Sequence, residues 1–491
     1  GYLGYRGTSP EQGADDFVAL VVSDTYDRAD GHWTELTTAP NPLFVAARID
    51  GVELGVAAAS EVTASLDLAT GTVGLRHVHD VAGTKVTVGV ERFASYEDLH
   101  VLAQRWTLTA DRDVVVEVDA GIDAVVWSLN GTHLPRVDLR AGTGQLIATG
   151  TTVESGIDLA VVASTAVSGG QSLAEEDTTD GDRLLTRRRV AVAAGDTLVV
   201  DTVAAVRTSS DGPEPTRTAS ELVTVATEAG WERLRAASDA RWAKIWEALD
   251  VRIDGSPLDQ ATLRFAAYHN RICTPAHTDH LPIGARGLSC QAYQGAAFWD
   301  QEVYNLPAFL FTEPDIARSL LVYRHRTLDG ARRKAARLGH DGAFFAWISG
   351  RTGDELCPDI FFTDVLTGRP IRNHFNDWQM HVAPDVVTTI ARYVAVTDDV
   401  DFLVDHGAEV AFEVARFLRS FVRFDDWRGT YHCIRLLGPD EWHENVDDNA
   451  FTNHQVAAAL AFAIETWDRL GDDRTAVLLA LAGRLGLTEE E

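Results

Sequence analysis

Up to about residue 215, apolar side chains recur at every second position. Val86, Val88 and Val90 alternate, Val114 to Val118 is a β-branched run, and Leu198 to Val206 repeats the theme. That period belongs to strands with one face buried. Turn-forming pairs separate the runs: Asp50-Gly51 stands between Leu43–Ile49 and Val52–Leu54, and Asn130-Gly131 and Gly169-Gly170 mark other turns. Many short strands without intervening helices predict antiparallel sheets packed as a large sandwich. Asp211 to Thr218, with Pro213 and Pro215, reads as a linker. Trp242, Ile245, Trp246 and Leu249 then fall at helical spacing, which predicts a connecting helix with its tryptophans in packing roles.

After residue 255 the period becomes that of a helix. Ser256, Pro257 and Asp259 supply a cap, a first-turn proline and a first-turn acid, and Thr312 to Asp315 starts a helix running through Ile316, Leu320 and Tyr323. Further stripes are Val386, Ile390 and Tyr393; Val410, Val414, Phe417 and Phe421; and Leu460, Ile464 and Trp467. At least six helices are predicted, with almost no strand signal. The domains expected are residues 1–215, a β-sandwich; 216–255, a helical linker; and 256–491, a helical domain. Three long aromatic-rich connections, Ile283–Glu302, Gly342–His381 and Leu436–Asn453, interrupt the helices. Loops of that length inside a helical domain are usually functional.

Composition narrows the function classes. The 491 residues are 45% hydrophobic and 24% charged, an ordinary globular balance. Lys plus Arg number 43 against 73 for Asp plus Glu, a formal charge of −30. Such a surface repels nucleic-acid phosphates and anionic membranes alike, so neither is expected as a partner. No run approaches the roughly 20 apolar residues of a membrane span. Cys273, Cys290, Cys357 and Cys433 are scattered without metal or disulfide spacing, which suggests reduced thiols in a cytoplasmic protein and no metal site. The chain opens at Gly1, its one methionine is Met380, and an apolar run at Ala476–Leu487 leads into Glu489–Glu491. Both ends are therefore expected to continue in the natural protein.

The chemistry lies in the three loops. Gly438-Pro439-Asp440-Glu441-Trp442-His443-Glu444 gathers three carboxylates, an imidazole and an indole at a helix-breaking Gly-Pro. Breaking a glycosidic bond needs a carboxylic acid held protonated near neutral pH, and burial against an aromatic face favours the neutral form. Asp440, Glu441 and Glu444 are the candidates. In Phe298-Trp299-Asp300-Gln301-Glu302 an indole adjoins a carboxylate, the pairing that grips a pyranose by its CH face and its hydroxyls. The same recipe recurs from Phe344 through Trp347 to Gly353-Asp354-Glu355, and in Asn376-Asp377-Trp378-Gln379-Met380-His381.

These residues resemble glycoside hydrolase family 65, the inverting phosphorylases and hydrolases of α-glucosides such as maltose, kojibiose, nigerose and trehalose. The likeness runs from Gly1–Gly7 through Ile283–Leu288, Phe298–Asp300, Gly353–Glu355 and Gly438–His443 to Val446–Asn453. It implies an N-terminal β-sandwich, a helical linker, an (α/α)6 barrel, here cut short, and a small C-terminal β-domain. By position it makes Glu441 the general acid, sets Trp299 and Asp300 in the glucosyl subsite, Trp347 near the disaccharide, and Gln379 and His381 around the pocket, with Asp440 and His443 orienting Glu441. The implied partner is a small α-glucoside, the implied co-substrate inorganic phosphate without a cofactor, and a homodimer is the family's habit. Phosphorolysis to β-glucose 1-phosphate is favoured on family frequency. A hydrolase, which would need a second carboxylate, and a non-catalytic carbohydrate-binding protein stand as alternatives. Two departures bear on the acceptor subsite: Trp347-Ile348-Ser349, where phosphorylases often carry Trp-Glu-Ser, and the apolar approach Tyr293–Ala297 to Phe298.

Overall fold

In the computed structural model, residues 1–31, 33–288 and 292–488 are described. By their contacts they form two units. The first comprises Gly1–Cys273 and the stretch Arg286–Gln294; the second comprises Thr274–Ala285 and the chain from Gly295 onward.

The first unit is built on antiparallel sheets. An eight-stranded sheet runs in the order Val137–Gly142, Gln145–Thr151, Asp158–Ser168, Thr197–Thr208, Val101–Ala110, Thr84–Ala94, Thr72–Val81, Glu61–Asp67. A five-stranded sheet runs Gln171–Asp180, Arg183–Val192, Val114–Asp123, Asn41–Ile49, Val52–Glu53, and a three-stranded sheet joins Leu3–Tyr5, Leu20–Arg28 and Thr34–Ala39. Alternation decides what is buried. Val86, Val88 and Val90 meet Val45, Val116, Val118 and Val190 in one core, so the inner faces of the two larger sheets pack on each other. Gly169-Gly170 carries the chain from the larger sheet to the five-stranded one rather than closing a hairpin.

Helix α1 (Pro215–Ala229) begins at the second linker proline, so the linker is shorter than the sequence suggests. It packs Ala219 and Val223 against Ile147, Val162 and Ala205. Helix α2 (Trp231–Leu249) buries Trp242 between Tyr96 and Tyr268, the packing role its spacing predicts. Tyr268 lies on α3 (Pro257–Cys273), which belongs by contacts to this unit, although its period resembles that of the helices beyond.

The second unit is mainly helical: α4 (Leu306–Thr312), α5 (Pro314–Arg326), α6 (Leu328–Arg337), the short α7 (Phe375–Trp378), α8 (Val382–Thr397), α9 (Val400–Phe402), α10 (Ala408–Phe421), α11 (Ala450–Asp473) and α12 (Thr475–Leu485). Helix α8 is buried almost all round and packs against α5, α10 and α11. The connections between the helices also hold three short two-stranded ladders that the helical period hides: Ile360–Thr363 with Pro370–Arg372, Arg423–Asp425 with Thr430–His432, and Leu436–Leu437 with Glu444–Val446. On α11 the stripe of Leu460, Ile464 and Trp467 is correct in period but not in phase. Val456, Ala459, Ala463 and Leu470 are buried, while Ile464 is 65% exposed. The helix is apolar on two faces, and Leu460, Ile464 and Trp467 line an open groove of about 740 Å³. No described helix is long and apolar enough to cross a membrane.

Candidate active site

The residues that build the site belong to the second unit. Phe298–Glu302 leads into α4 through a π-helical turn at Gln301–Asn305. Glu302 is fully buried, which a carboxylate tolerates only when paired. Arg324 of α5, equally buried, grips it with Nε to Oε1 and Nη2 to Oε2, both at 2.7 Å. The same guanidinium donates to the Phe298 carbonyl and to Ser349 Oγ, tying this loop to the segment after Trp347. Gln301 accepts from the Ile283 amide and donates to Glu302. With these two neighbours turned inward, Trp299 and Asp300 remain half-buried at the surface of the turn. Burial raises the Asp300 carboxyl above its usual range, its own backbone amide opposes this, and the Glu302 charge adds to the rise.

Gly353-Asp354-Glu355 proves to be a scaffold. Gly353 has φ +73°, and a β-carbon there would lie 2.4 Å from the Thr327 carbonyl oxygen, so only glycine lets the loop close on the α5–α6 junction. Glu355 then accepts from the amides of Trp347, Ile348 and Cys357 and from Nζ of buried Lys334. One carboxylate thus shapes the backbone that carries Trp347. The Trp347 ring is buried against Phe298 and Phe375, and its Nε1–H has no hydrogen-bond partner among the described residues.

Gln379 and His381 lead into α8. His381 is fully buried, with Nδ1 2.8 Å from Asp385 Oδ2 and Nε2 3.1 Å from Gln379 Oε1. Gln455 of α11 donates to Asp385 Oδ1 at 2.6 Å. The Trp299 ring stands edge-on to His381 and to Phe451, with centroids at 5.1 and 6.1 Å. The three rings form one wall.

The acidic turn is positioned by Gly438, whose missing side chain makes room for the Asn449 amide: a β-carbon there would lie 2.7 Å from Asn449 Nδ2. Asn449 caps α11 by accepting from Thr452 N. Glu441 closes the turn with its amide on the Gly438 carbonyl and adopts φ +56°, a left-handed conformation that costs a non-glycine residue about 1–2 kcal/mol. Its side chain reaches back so that Oε1 accepts from Gln379 Nε2 at 2.9 Å, while Oε2 takes no hydrogen bond among the described residues. Glu441 is therefore joined to the Trp299 wall through Gln379 and His381.

Other expectations fare differently. Trp442, next to Glu441 in the chain, is 88% exposed and gives it no aromatic cover, and Glu441 is itself exposed. Asp440 and His443 bond to each other, which holds the Asp440 carboxyl low, and neither bonds to Glu441. Asp385, Phe451, Gln455, Arg324 and Lys334 were not singled out by the sequence reading. A signal existed for Asp385: His381 and Asp385, four residues apart on an otherwise apolar helix, are the signature of a mutually satisfied buried pair. Among the described residues no cluster of His, Cys, Asp and Glu can hold a metal ion. Cys357 and Cys433 are buried thiols pushed up to about 12 and about 11 by burial; Cys273, in the first unit, is half-buried, and Cys290 lies outside the described residues.

Carboxylates beside aromatic rings on a helical unit are the arrangement that recognition of a sugar ring uses. The chain belongs to glycosyl hydrolase family 65, whose N-terminal domain matches residues 1–245 and whose central catalytic domain matches residues 264–489. A 1,2-α-glucosylglycerol phosphorylase of Bacillus selenitireducens is 44% identical over all of this chain and 64% of its own length. A nigerose phosphorylase of Lachnoclostridium phytofermentans is 32% identical over 95% of this chain and 65% of its own. A solved structure from the human microbiome, provisionally assigned as a kojibiose phosphorylase, superposes with a TM-score of 0.83 at 19% identity, covering 96% of this chain and 62% of that one; this likeness is one of fold. The chain thus spans just under two thirds of the length of these relatives.

Proposed function

We propose that the protein cleaves an α-glucoside by phosphorolysis with inversion, releasing β-glucose 1-phosphate and the acceptor. The observation that carries this reading is Glu441, whose free Oε2 belongs to a carboxyl tethered through Gln379 to the Trp299, His381 and Phe451 wall. The phosphorylase relatives support the choice of phosphate over water. In the proposed reaction the glucosyl ring stacks on Trp299, with Asp300 accepting from its hydroxyls and Trp347 close to the disaccharide. Glu441 delivers a proton to the glycosidic oxygen as the bond to the anomeric carbon breaks and its electron pair passes to the leaving oxygen. A phosphate oxygen attacks the opposite face, and its own charge removes the need for a protein base. Glu441 then regains a proton from solvent.

In this reading the domains are a β-sandwich at 1–215, a helical linker at 216–255 and part of an (α/α)6 barrel at 256–491, acting in the cytoplasm, and Gln379 and His381 serve the pocket through Glu441. The discriminating experiment supplies 2-O-α-glucosylglycerol, kojibiose and nigerose to the intact protein with and without phosphate and follows the products by proton NMR. β-Glucose 1-phosphate formed only with phosphate supports the proposal. Free glucose at equal rates without phosphate makes the protein a hydrolase, and sugar binding without turnover makes it a binding protein.

A further inference from the structure

The buried pair behind Gln379 contributes more than packing. His381 and Asp385 are both fully excluded from solvent. With a single proton between them the pair would carry a net negative charge, which burial makes costly; with two protons it is neutral. One proton lies between Nδ1 and Asp385 Oδ2, whose partner oxygen Oδ1 is occupied as an acceptor by Gln455 Nε2. The second must then sit on His381 Nε2, 3.1 Å from Gln379 Oε1. An Nε2–H can donate only to the carbonyl end of the Gln379 amide, so the amino end must point the other way, to Glu441 Oε1 at 2.9 Å. The carbonyl oxygen of a carboxylic acid is its better acceptor, so the oxygen that takes the Gln379 N–H is the one without the acid's hydrogen.

We propose that Asp385, His381 and Gln455 are positioning residues that lock the orientation of Gln379 and thereby confine the transferable proton of Glu441 to Oε2. The relay rests on the assignment of Glu441 as general acid, and it adds that the acid presents its proton from one oxygen. Every link is a hydrogen bond of 2.6 to 3.1 Å between side chains from α8, α11 and the two loops, so a tautomer set at the first turn of α8 is read out at the sugar.

The test uses leaving groups. Phosphorolysis of kojibiose or 2-O-α-glucosylglycerol needs a proton on the departing oxygen, whereas α-glucosyl fluoride departs with little help. His381→Phe keeps a ring beside Trp299 but removes the Nε2–H that orients the Gln379 amide, which is then free to turn its carbonyl toward Glu441. Gln379→Met removes the donor directly and carries the test should His381→Phe not fold. Each variant should lose roughly 10- to 100-fold in kcat on the glycosides, the scale of one mispaired polar group. The loss should be at least about tenfold greater than on the fluoride, with KM little changed. Equal losses on both substrate types in both variants would overturn the relay, because a loosened fold affects them alike. Glu441→Gln is the control for the underlying assignment. If it too loses both reactions equally, that assignment falls; if it is selective and the other two are not, the relay alone falls.

Discussion

Arg324 holds Glu302 by two parallel 2.7 Å hydrogen bonds in a place that water does not reach. Because the same guanidinium also reaches the Phe298 carbonyl and Ser349 Oγ, the pair fixes two of the three aromatic loops relative to each other. Trp299 and Asp300, proposed above to meet the sugar, owe their placement to a fully buried salt bridge.

Replacing Arg324 with Lys keeps the charge but cannot reproduce the fork. It should destabilise the helical unit by about 3 kcal/mol, the cost of leaving a buried carboxylate poorly paired. Urea unfolding of the variant checks this. A loss below about 1 kcal/mol would mean that water replaces the arginine readily.

In the β-rich unit His133 lies between Asp27 and Glu35, with ring nitrogens 2.9 Å from each carboxylate and all three side chains buried. Burial alone would lower its pKa, but hydrogen bonds to Glu35 and Asp27 outweigh that and the net direction is up. A raised histidine stabilises fully below its unfolded pKa of about 6.5, and that stabilisation is lost as pH rises through the folded value. Unfolding of this unit should become easier from near neutral pH upward, and His133→Gln should flatten that slope. An unchanged slope would show that the clamp does not titrate.

The helical unit should respond in the opposite direction. Glu409 of α10 meets His325, Arg332 and Arg484, and its carboxyl is lowered to about 2, first by the hydrogen bond from His325 and, against the burial that opposes it, by those from the arginines. A depressed carboxylate stabilises above its unfolded pKa of about 4.5, and the gain is lost as pH falls toward about 2. The contribution is on the order of 3 kcal/mol at neutral pH. Acid titration of Glu409→Gln should show a shallower loss of stability than the parent over that window.

How much of this is legible in sequence follows from what each signal encodes. Period-two runs such as Val86–Val90 identify strands because alternation is local, and Trp299, Asp300 and Glu441 stand out because carboxylates beside indoles are rare and chemically pointed. Phase and partnership are not local. The α11 stripe chose Ile464 over Ala459 because both faces of that helix are apolar and only neighbouring helices decide which is covered. Arg324 and Gln455 lie far in sequence from the groups they bind, so no spacing rule finds them. The acidic turn shows the same limit: Trp442 adjoins Glu441 in the chain but is exposed, and the aromatic neighbourhood comes through Gln379 from residues near 299 and 381.

The central claim is that Glu441 protonates the departing sugar oxygen. Its most direct test is the turnover of 2-O-α-glucosylglycerol and kojibiose with saturating phosphate by the intact protein and its Glu441→Gln variant, with sugar binding measured alongside by calorimetry. General acid catalysis contributes roughly 10²- to 10⁴-fold, so kcat should fall by that factor while binding persists. A variant that keeps more than about a tenth of the parent's kcat would contradict the account.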